Sequence, residues 1–396
     1  MKAITRRIDA DVDLLDAGDV LFERNRLGLA GRGVALRVPI DEADAALAAI
    51  DADDEVGLPG CGPVAFGALP FDPTAPAELV VPTEIFGRAD DGTRWHTLIT
   101  DSHDRLDLES LPARFAQVVT RESPSRFEVE PSRSPESWCE LVEQATKVMA
   151  DGPLRKVVLA REIVVTADAP FDTPTVLSRL RATYPGCHLY CVDGFVGASP
   201  ELLVSRAGDI VRSHPMAGTA ARGGDPSADA RLAASLLAST KDREEHQITI
   251  DMVHDTLLNW CSYVDYEAEP SIVPVANVQH LATLVEGRLS QPAPSVLDLV
   301  RALHPTPAVC GSPRDEALAF IRAHEGFDRG RYAGAVGWVD ARGNGSWAVS
   351  LRCAALGGPV ARVFAGNGIV ADSDPVTELA ETRAKLQAML SALVRP

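Results

Sequence analysis

The stretch that most constrains this chain lies near its C-terminus: FAGNGIVADSDPVTELAETRAKL, from Phe364 to Leu386. It opens on small residues, Ala365-Gly366-Asn367-Gly368, which read as a strand or turn. Glycine there permits positive φ and lets a ligand approach the backbone closely. Asp374-Pro375 then starts a helix, with an acceptor at the N-cap and proline at the first helical position. Glu378, Glu381 and Lys385 follow at i, i+3 and i+7, so all three share one helix face. On an arbitrary helix such a stripe is a solvated salt-bridge face. Here a glycine loop feeds the helix, and a second acidic helix stands upstream. In that upstream segment, STKDREEHQITIDMVHD, Asp242 and Glu245 repeat the i, i+3 spacing. Two facing helices with paired carboxylates offer the oxygen ligands that a hard ion such as Mg²⁺ takes.

Composition narrows the function classes. The 396 residues are enough for one large domain or two ordinary ones, and 46% hydrophobic residues predict a packed core. A net charge of −18 argues against nucleic acid or an anionic membrane surface as partner, although a local basic pocket still accommodates a small anion. No apolar run follows the two arginines of MKAITRRIDADVDLL, and no stretch approaches membrane-spanning length. The seven cysteines are scattered singly, which reads as reduced thiols in a cytoplasm, with Cys187 and Cys191 as core thiols.

Along the chain, residues 1–130 read as strand-like pieces broken by turns, with a short helix at DEADAALAAIDADDE. Residues 124–136, rich in Pro, Ser and charge, read as a linker. Beyond it Trp138, Leu141, Val142, Ala145 and Val148 recur with helical spacing, and RKVVLAREIVV reads as a buried strand. Residues 227–262, 295–303 and 314–324 read as helices, and RYAGAVGWVD onward as a three-strand meander. Strands and helices interleave with hairpin-type turns, which predicts an α+β layered fold rather than a doubly wound parallel sheet.

Several residues stand where chemistry could use them. Lys156 heads an apolar strand: it is either an edge charge with a snorkelling stem or a lysine desolvated enough to act as a base. Glu201 in ASPELLVS is either a surface glutamate or a general acid facing a cleft. Gly218 and Thr219 in HPMAGTA offer an amide and a hydroxyl to an oxyanion, and an ordinary turn explains them almost as well. Arg352 and Lys385 could clamp carboxylates, although the face of Arg352 is open in VSLRCAAL. Gly366-x-Gly368 lacks the third glycine of a dinucleotide site, and neither a P-loop nor a nucleophile elbow is present.

KVVLARE, SPELL, HPMAGTA, the KDREEH helix, HPTPAVCGSP, RYAGAVGW, SLRCA and FAGNGIV…ETRAKL occur in this order across residues 137–390, with a fainter echo at AFGALPFDP…LVVP. Together they resemble the chorismate-utilising enzymes, which make isochorismate, salicylate, anthranilate or aminodeoxychorismate. The resemblance implies a single large domain of two facing antiparallel β-sheets wrapped by helices, with Mg²⁺ and chorismate between them. It implies Lys156 as the base that activates water and Glu201 as the acid that protonates the departing hydroxyl. Glu245 and Glu381 would hold Mg²⁺, with Glu378 and Asp242 in support. Gly218, Thr219, Ala308, Tyr332, Arg352, Gly366 and Lys385 would position chorismate.

Within that family, Ala217 stands where aminodeoxychorismate synthases carry lysine, and Met252-Val253-His254-Asp255 replaces the Arg-Asn-Asp helix end of anthranilate synthases. HPTPAVCGSP and VGWVD…GNGSW…LRCA look most like isochorismate synthases. Tyr332 resembles the tyrosine of salicylate-forming relatives, so salicylate synthase stands as the second reading. A silent chorismate-binding paralogue is the third. A cytoplasmic monomer without an amidotransferase subunit is expected. Whether its product feeds menaquinone, a catechol siderophore or salicylate depends on neighbouring enzymes.

Overall fold

A computed structural model describes residues 1–101, 124–276 and 278–394. Its backbone is set by the β-branched run predicted as a buried strand, which forms Lys156–Ala167. That strand pairs antiparallel with Val360–Ile369 from Val157↔Ile369 to Thr166↔Val360. Around this pair a thirteen-stranded sheet extends to Asp51–Asp54, antiparallel among the described residues except where Lys2–Arg7 runs parallel to Asp51–Asp54. A nine-stranded antiparallel sheet from Cys261–Tyr266 to Leu36–Pro39 faces it.

The period-2 pattern decides which side chain enters which core. In the large sheet Leu29 and Tyr190 point between the sheets, where they join Phe66, Val204 and Trp347 of the opposite sheet. Their neighbours Ala30, Leu189 and Cys191 point the other way, under Leu177, Leu180, Leu386 and Met389 of the covering helices. The α+β layered expectation therefore holds.

Several local readings change. The 124–136 linker contains a strand, Phe127–Pro131, paired with residues 163–167, and the first turn of the Pro135–Asp151 helix. Residues 102–123 of the N-terminal portion lie outside the described residues. Strands from residues 2–100 enter both large sheets, so this portion is woven into the fold. On the Pro135–Asp151 helix Met149 is buried and Val148 is exposed, one position away from the expected stripe. The long helical stretch at 227–262 is two helices, Pro226–Ala238 and Thr240–Leu258, then the start of a strand at Cys261. Ser239 separates them, its hydroxyl capping the second by accepting from Asp242 N–H. A three-stranded sheet of Met216–Ala221, Val278–Ala282 and Ser271–Val275 was not foreseen.

The expected three-strand meander is four strands that change sheets. Ala335–Asp340 and Gly345–Val349 belong to the nine-stranded sheet, Cys353–Gly357 and Val360–Ile369 to the large one. Trp347 is in register with Gly337, which pairs in turn with Gly67. A Cβ on Gly67 would sit 2.2 Å from Leu79 Cδ2 and 3.1 Å from the Trp347 ring, so glycine makes room for both side chains. Trp347 is fully buried. Trp347→Ala is expected to destabilise the fold by about 3–5 kcal/mol, read as a shifted denaturant midpoint in equilibrium unfolding.

Candidate active site

The crossing between sheets fixes one corner of the site. Between Val349 and Cys353 the chain passes from one sheet to the other, and Arg352 takes φ +49° there. Arg352 is therefore on a sheet-to-sheet turn, not within the strand expected from VSLRCAAL. Its side chain is buried, and Nη2 lies 3.3 Å from His280 Nε2. Because the guanidinium can only donate, that imidazole nitrogen accepts, and the ring proton sits on Nδ1. From Nδ1, His280 reaches the Gly218 carbonyl at 3.2 Å and Thr219 Oγ1 at 3.1 Å. Burial, with the Arg352 and Lys385 charges beside it, lowers the His280 pKa to about 3, consistent with a neutral ring.

A cavity opens at this corner. Glu201, Gly218, Thr219, Asp242, Glu245, Ala308, Tyr332, Arg352, Gly366, Glu378, Glu381 and Lys385 line it, so twelve of the thirteen residues singled out in the sequence converge there. The thirteenth, Lys156, is buried at the rim rather than snorkelling, and its Nζ donates to Glu245 Oε1 at 2.7 Å. His280, Lys241 and Ser373 also line the cavity and went unread. The strand that carries His280, Val278–Ala282, also holds Gln279, so no local pattern singles the histidine out.

The two glycines of the C-terminal stretch act differently from expectation. Gly366 and Gly368 lie inside the Val360–Ile369 strand, not in a loop, and neither has positive φ. They supply space. A Cβ on Gly366 would lie 2.8 Å from the Tyr332 hydroxyl, and one on Gly368 would lie 2.8 Å from Lys156 Cε. Gly218, by contrast, has φ +72° at a bulge in Met216–Ala221, where a turn had been the alternative, with Asp242 packed against it. Tyr332 stacks on Phe364 with centroids 5.3 Å apart, and burial pushes its phenol above the usual range.

The helix reading of the acidic stripe holds. Asp374 caps Pro375–Leu393 by accepting from Thr377 N–H at 2.8 Å, and the helix turns Glu378, Glu381 and Lys385 into the cavity. Lys385 Nζ donates to Glu381 Oε1 at 2.7 Å, to the Gly366 carbonyl at 3.0 Å and to Asn367 Oδ1 at 3.1 Å. Glu378 accepts from Ser373 Oγ at 2.8 Å and Asn367 Nδ2 at 3.0 Å. Burial raises the Glu378 carboxyl, and the Glu381 charge adds to that against its two hydrogen bonds. At Glu245 burial acts upward too, but the Lys156 ammonium, by charge and hydrogen bond, outweighs it and holds the carboxyl below its ordinary value.

Glu201 is the exception among these acids. It sits between the Phe195–Ser199 and Leu202–Ala207 strands, its backbone held by Ser199 Oγ and Val349 N–H, and its side chain is buried. Burial pushes its carboxyl up to about 8, which a Met216 backbone hydrogen bond and the Lys156 and Arg352 charges offset only in part. That shift favours the protonated form of Glu201 at neutral pH.

With Glu201 and His280 neutral, the cavity balances Asp242, Glu245, Glu378 and Glu381 against Lys156, Lys241, Arg352 and Lys385. A dianionic ligand would leave two negative charges uncompensated, and a divalent cation restores balance. The carboxylate oxygens suit a hard ion such as Mg²⁺. Among the described residues no three His, Cys, Asp or Glu side chains are already gathered around one point as a metal site. The oxygen donors fit such an ion in chemistry, and Lys156 and Lys385 each hold one of them, Glu245 and Glu381.

Because folding moves the Glu201 carboxyl from 4.5 to about 8, its contribution to stability is fully present below pH 4.5 and is lost as pH rises through about 8. Glu201→Gln carries no such dependence. Its melting temperature relative to the unsubstituted protein is expected to climb from about pH 5 to about pH 9 in parallel thermal scans.

Known proteins share this architecture. A family profile described as "Chorismate binding enzyme" matches residues 40–394. The isochorismate synthase DhbC of Bacillus subtilis is 37% identical over 342 residues, covering 84% of this chain and 81% of that protein. The isochorismate synthase EntC of Escherichia coli K12 is 37% identical over 336 residues, with 83% and 81% covered. The structure of MenF, the menaquinone-specific isochorismate synthase of Escherichia coli, superposes with a TM-score of 0.85 at 26% identity, covering 100% of this chain and 94% of that one. No helix among the described residues is long and apolar enough to cross a membrane. With the family profile spanning nearly all of it, the chain belongs to the chorismate-binding enzymes.

Proposed function

We propose that this chain is an isochorismate synthase that isomerises chorismate to isochorismate. One observation carries the reading: a buried glutamate, its carboxyl raised by that burial, and a buried lysine stand at one cavity whose other groups suit a dianion. The names of the relatives agree with it.

In this reading Arg352 and Lys385 take the two substrate carboxylates, Arg352 kept in place by His280. Gly218 and Gly366 bring backbone close to the ring, and Thr219, Ala308 and Tyr332 shape the rest of the pocket. Glu245 and Glu381 would hold Mg²⁺, with Glu378 and Asp242 in support, and the ion would neutralise the ring carboxylate. Lys156, once it leaves Glu245 and gives its ammonium proton to solvent, takes a proton from the water that adds at C2, the ring double bonds shift, and Glu201 gives its proton to the C4 hydroxyl, which departs as water. One water enters and one leaves, so the product is an isomer. Exchange with solvent returns the proton to Glu201 and removes it from Lys156. The low-dielectric surroundings that keep Glu201 protonated are what make it a competent acid near pH 7.

Proton NMR of the protein with chorismate and Mg²⁺, run with and without ammonium, tests this. Isochorismate in equilibrium with chorismate, without pyruvate and indifferent to ammonium, is the expected result. Salicylate with pyruvate would replace the assignment by salicylate synthase, an ammonium-dependent amino product would place the chain with the amine-forming enzymes, and no turnover would make it a silent binder. Glu201→Gln is expected to keep chorismate affinity within a few-fold while kcat falls by about 10²–10⁴.

A further inference from the structure

The two carboxylates assigned to Mg²⁺ are each already engaged by a lysine. Lys156 Nζ lies 2.7 Å from Glu245 Oε1, and Lys385 Nζ lies 2.7 Å from Glu381 Oε1. An ammonium at that distance uses the same oxygen lone pairs that a cation would need, and it brings its own positive charge beside them. The pairs differ in what surrounds them. Lys385 also donates to the Gly366 carbonyl and to Asn367 Oδ1, so losing Glu381 leaves it anchored. Lys156 has one hydrogen-bond acceptor among the described residues, Glu245. Gly368 in the strand opposite gives this pair the space it fills, since even one added carbon there would press on Lys156 Cε at 2.8 Å and Glu245 Oε1 at 3.2 Å.

We infer that Lys156 and the divalent cation compete for Glu245, so that Lys156 occupies the carboxylate until metal arrives and is released toward the substrate only then. This rests on the metal assignment proposed above. Lys156 thereby couples the two halves of the site: the group that acts on water is withheld while the cation that balances the substrate is missing. Lys385 does not behave this way, because its backbone and amide acceptors keep it in position on either side of the exchange.

The exchange is read by metal binding without substrate. Titration calorimetry with Mg²⁺, repeated with Mn²⁺ by electron paramagnetic resonance, compares the unsubstituted protein with Lys156→Met, Lys156→Gln and Lys241→Met. Lys156→Met is expected to bind either ion about 5- to 50-fold more tightly, because its competitor is gone. Lys156→Gln, which can still donate a hydrogen bond to Glu245, is expected to fall in between. Lys241 lines the same cavity but pairs with Asp372 at 3.4 Å, so Lys241→Met removes an equal charge without freeing Glu245 and is expected to change affinity less than about threefold. Equal tightening in Lys156→Met and Lys241→Met would reduce the effect to the general field of the cavity and overturn the exchange. Unchanged or weaker binding in Lys156→Met, with metal bound by the unsubstituted protein, would overturn it too while leaving the metal assignment standing. No binding by the unsubstituted protein would overturn both. Should neither Lys156 variant fold, the ammonium proton signal of Lys156 in ¹⁵N-lysine-labelled protein carries the test. It is expected to be protected without metal and to broaden on Mg²⁺ saturation, and a signal indifferent to saturating Mg²⁺ would refute the exchange.

Discussion

The antiparallel pairing of Lys156–Ala167 with Val360–Ile369 is the contact on which the site depends. Its register sets Val158 against Gly368 and Ala160 against Gly366, which puts Lys156 beside the last residues of the partner strand. From that same strand end the chain turns through Ser373 and Asp374 into the helix that carries Glu378, Glu381 and Lys385. A one-residue slip would reverse the faces of every side chain in the pair and carry Lys156 away from Glu245. The glycines of the partner strand are part of the same constraint, since any side chain there would occupy the space of Tyr332 or Lys156.

The second constraint is charge gathered in one cavity. Besides Glu201, four acidic and three basic side chains line the cavity, with Lys156 beside them, and two short pairs form among these groups, Lys156 with Glu245 and Lys385 with Glu381. Glu201 stands apart because it alone of these acids is buried; the Lys156 and Arg352 charges reach it without cancelling the cost of that burial. The fold therefore keeps one carboxyl neutral among ionised neighbours. His280 does the complementary service for the cations, staying uncharged so that it can accept from Arg352 while its other nitrogen holds the Gly218 bulge. Separate environments give otherwise similar acids separate roles.

Much of this was legible in the sequence wherever the physics is local. The Asp374-Pro375 cap, the i, i+3 carboxylates and the β-branched strand at residue 156 are short-range patterns, and each formed as read. Legibility ended where tertiary structure decides. Arg352 looked like one more strand residue because nothing in VSLRCAAL announces that the chain changes sheets there, with a left-handed residue at the turn. Gly366 and Gly368 were read as backbone freedom, while their function is room for partners more than thirty residues away in sequence. His280 carries no spacing motif, and its importance lies in contacts to residues 62 and 72 positions distant. The roles proposed for Lys156 and Glu201 rest on the resemblance carried by the ordered motifs rather than on spacing. The structure adds that one is ion-paired and the other is buried without such a partner.

The central claim is that Glu201 is a protonated acid at the pH where the enzyme works. Difference infrared spectroscopy between the unsubstituted protein and Glu201→Gln, followed from pH 6 to pH 10, observes that proton directly. The account predicts the carbonyl stretch of a neutral carboxyl at pH 7, giving way to carboxylate bands with a midpoint near 8. Carboxylate bands already complete at pH 6 would contradict it, because the proton assigned to the departing hydroxyl would have no donor.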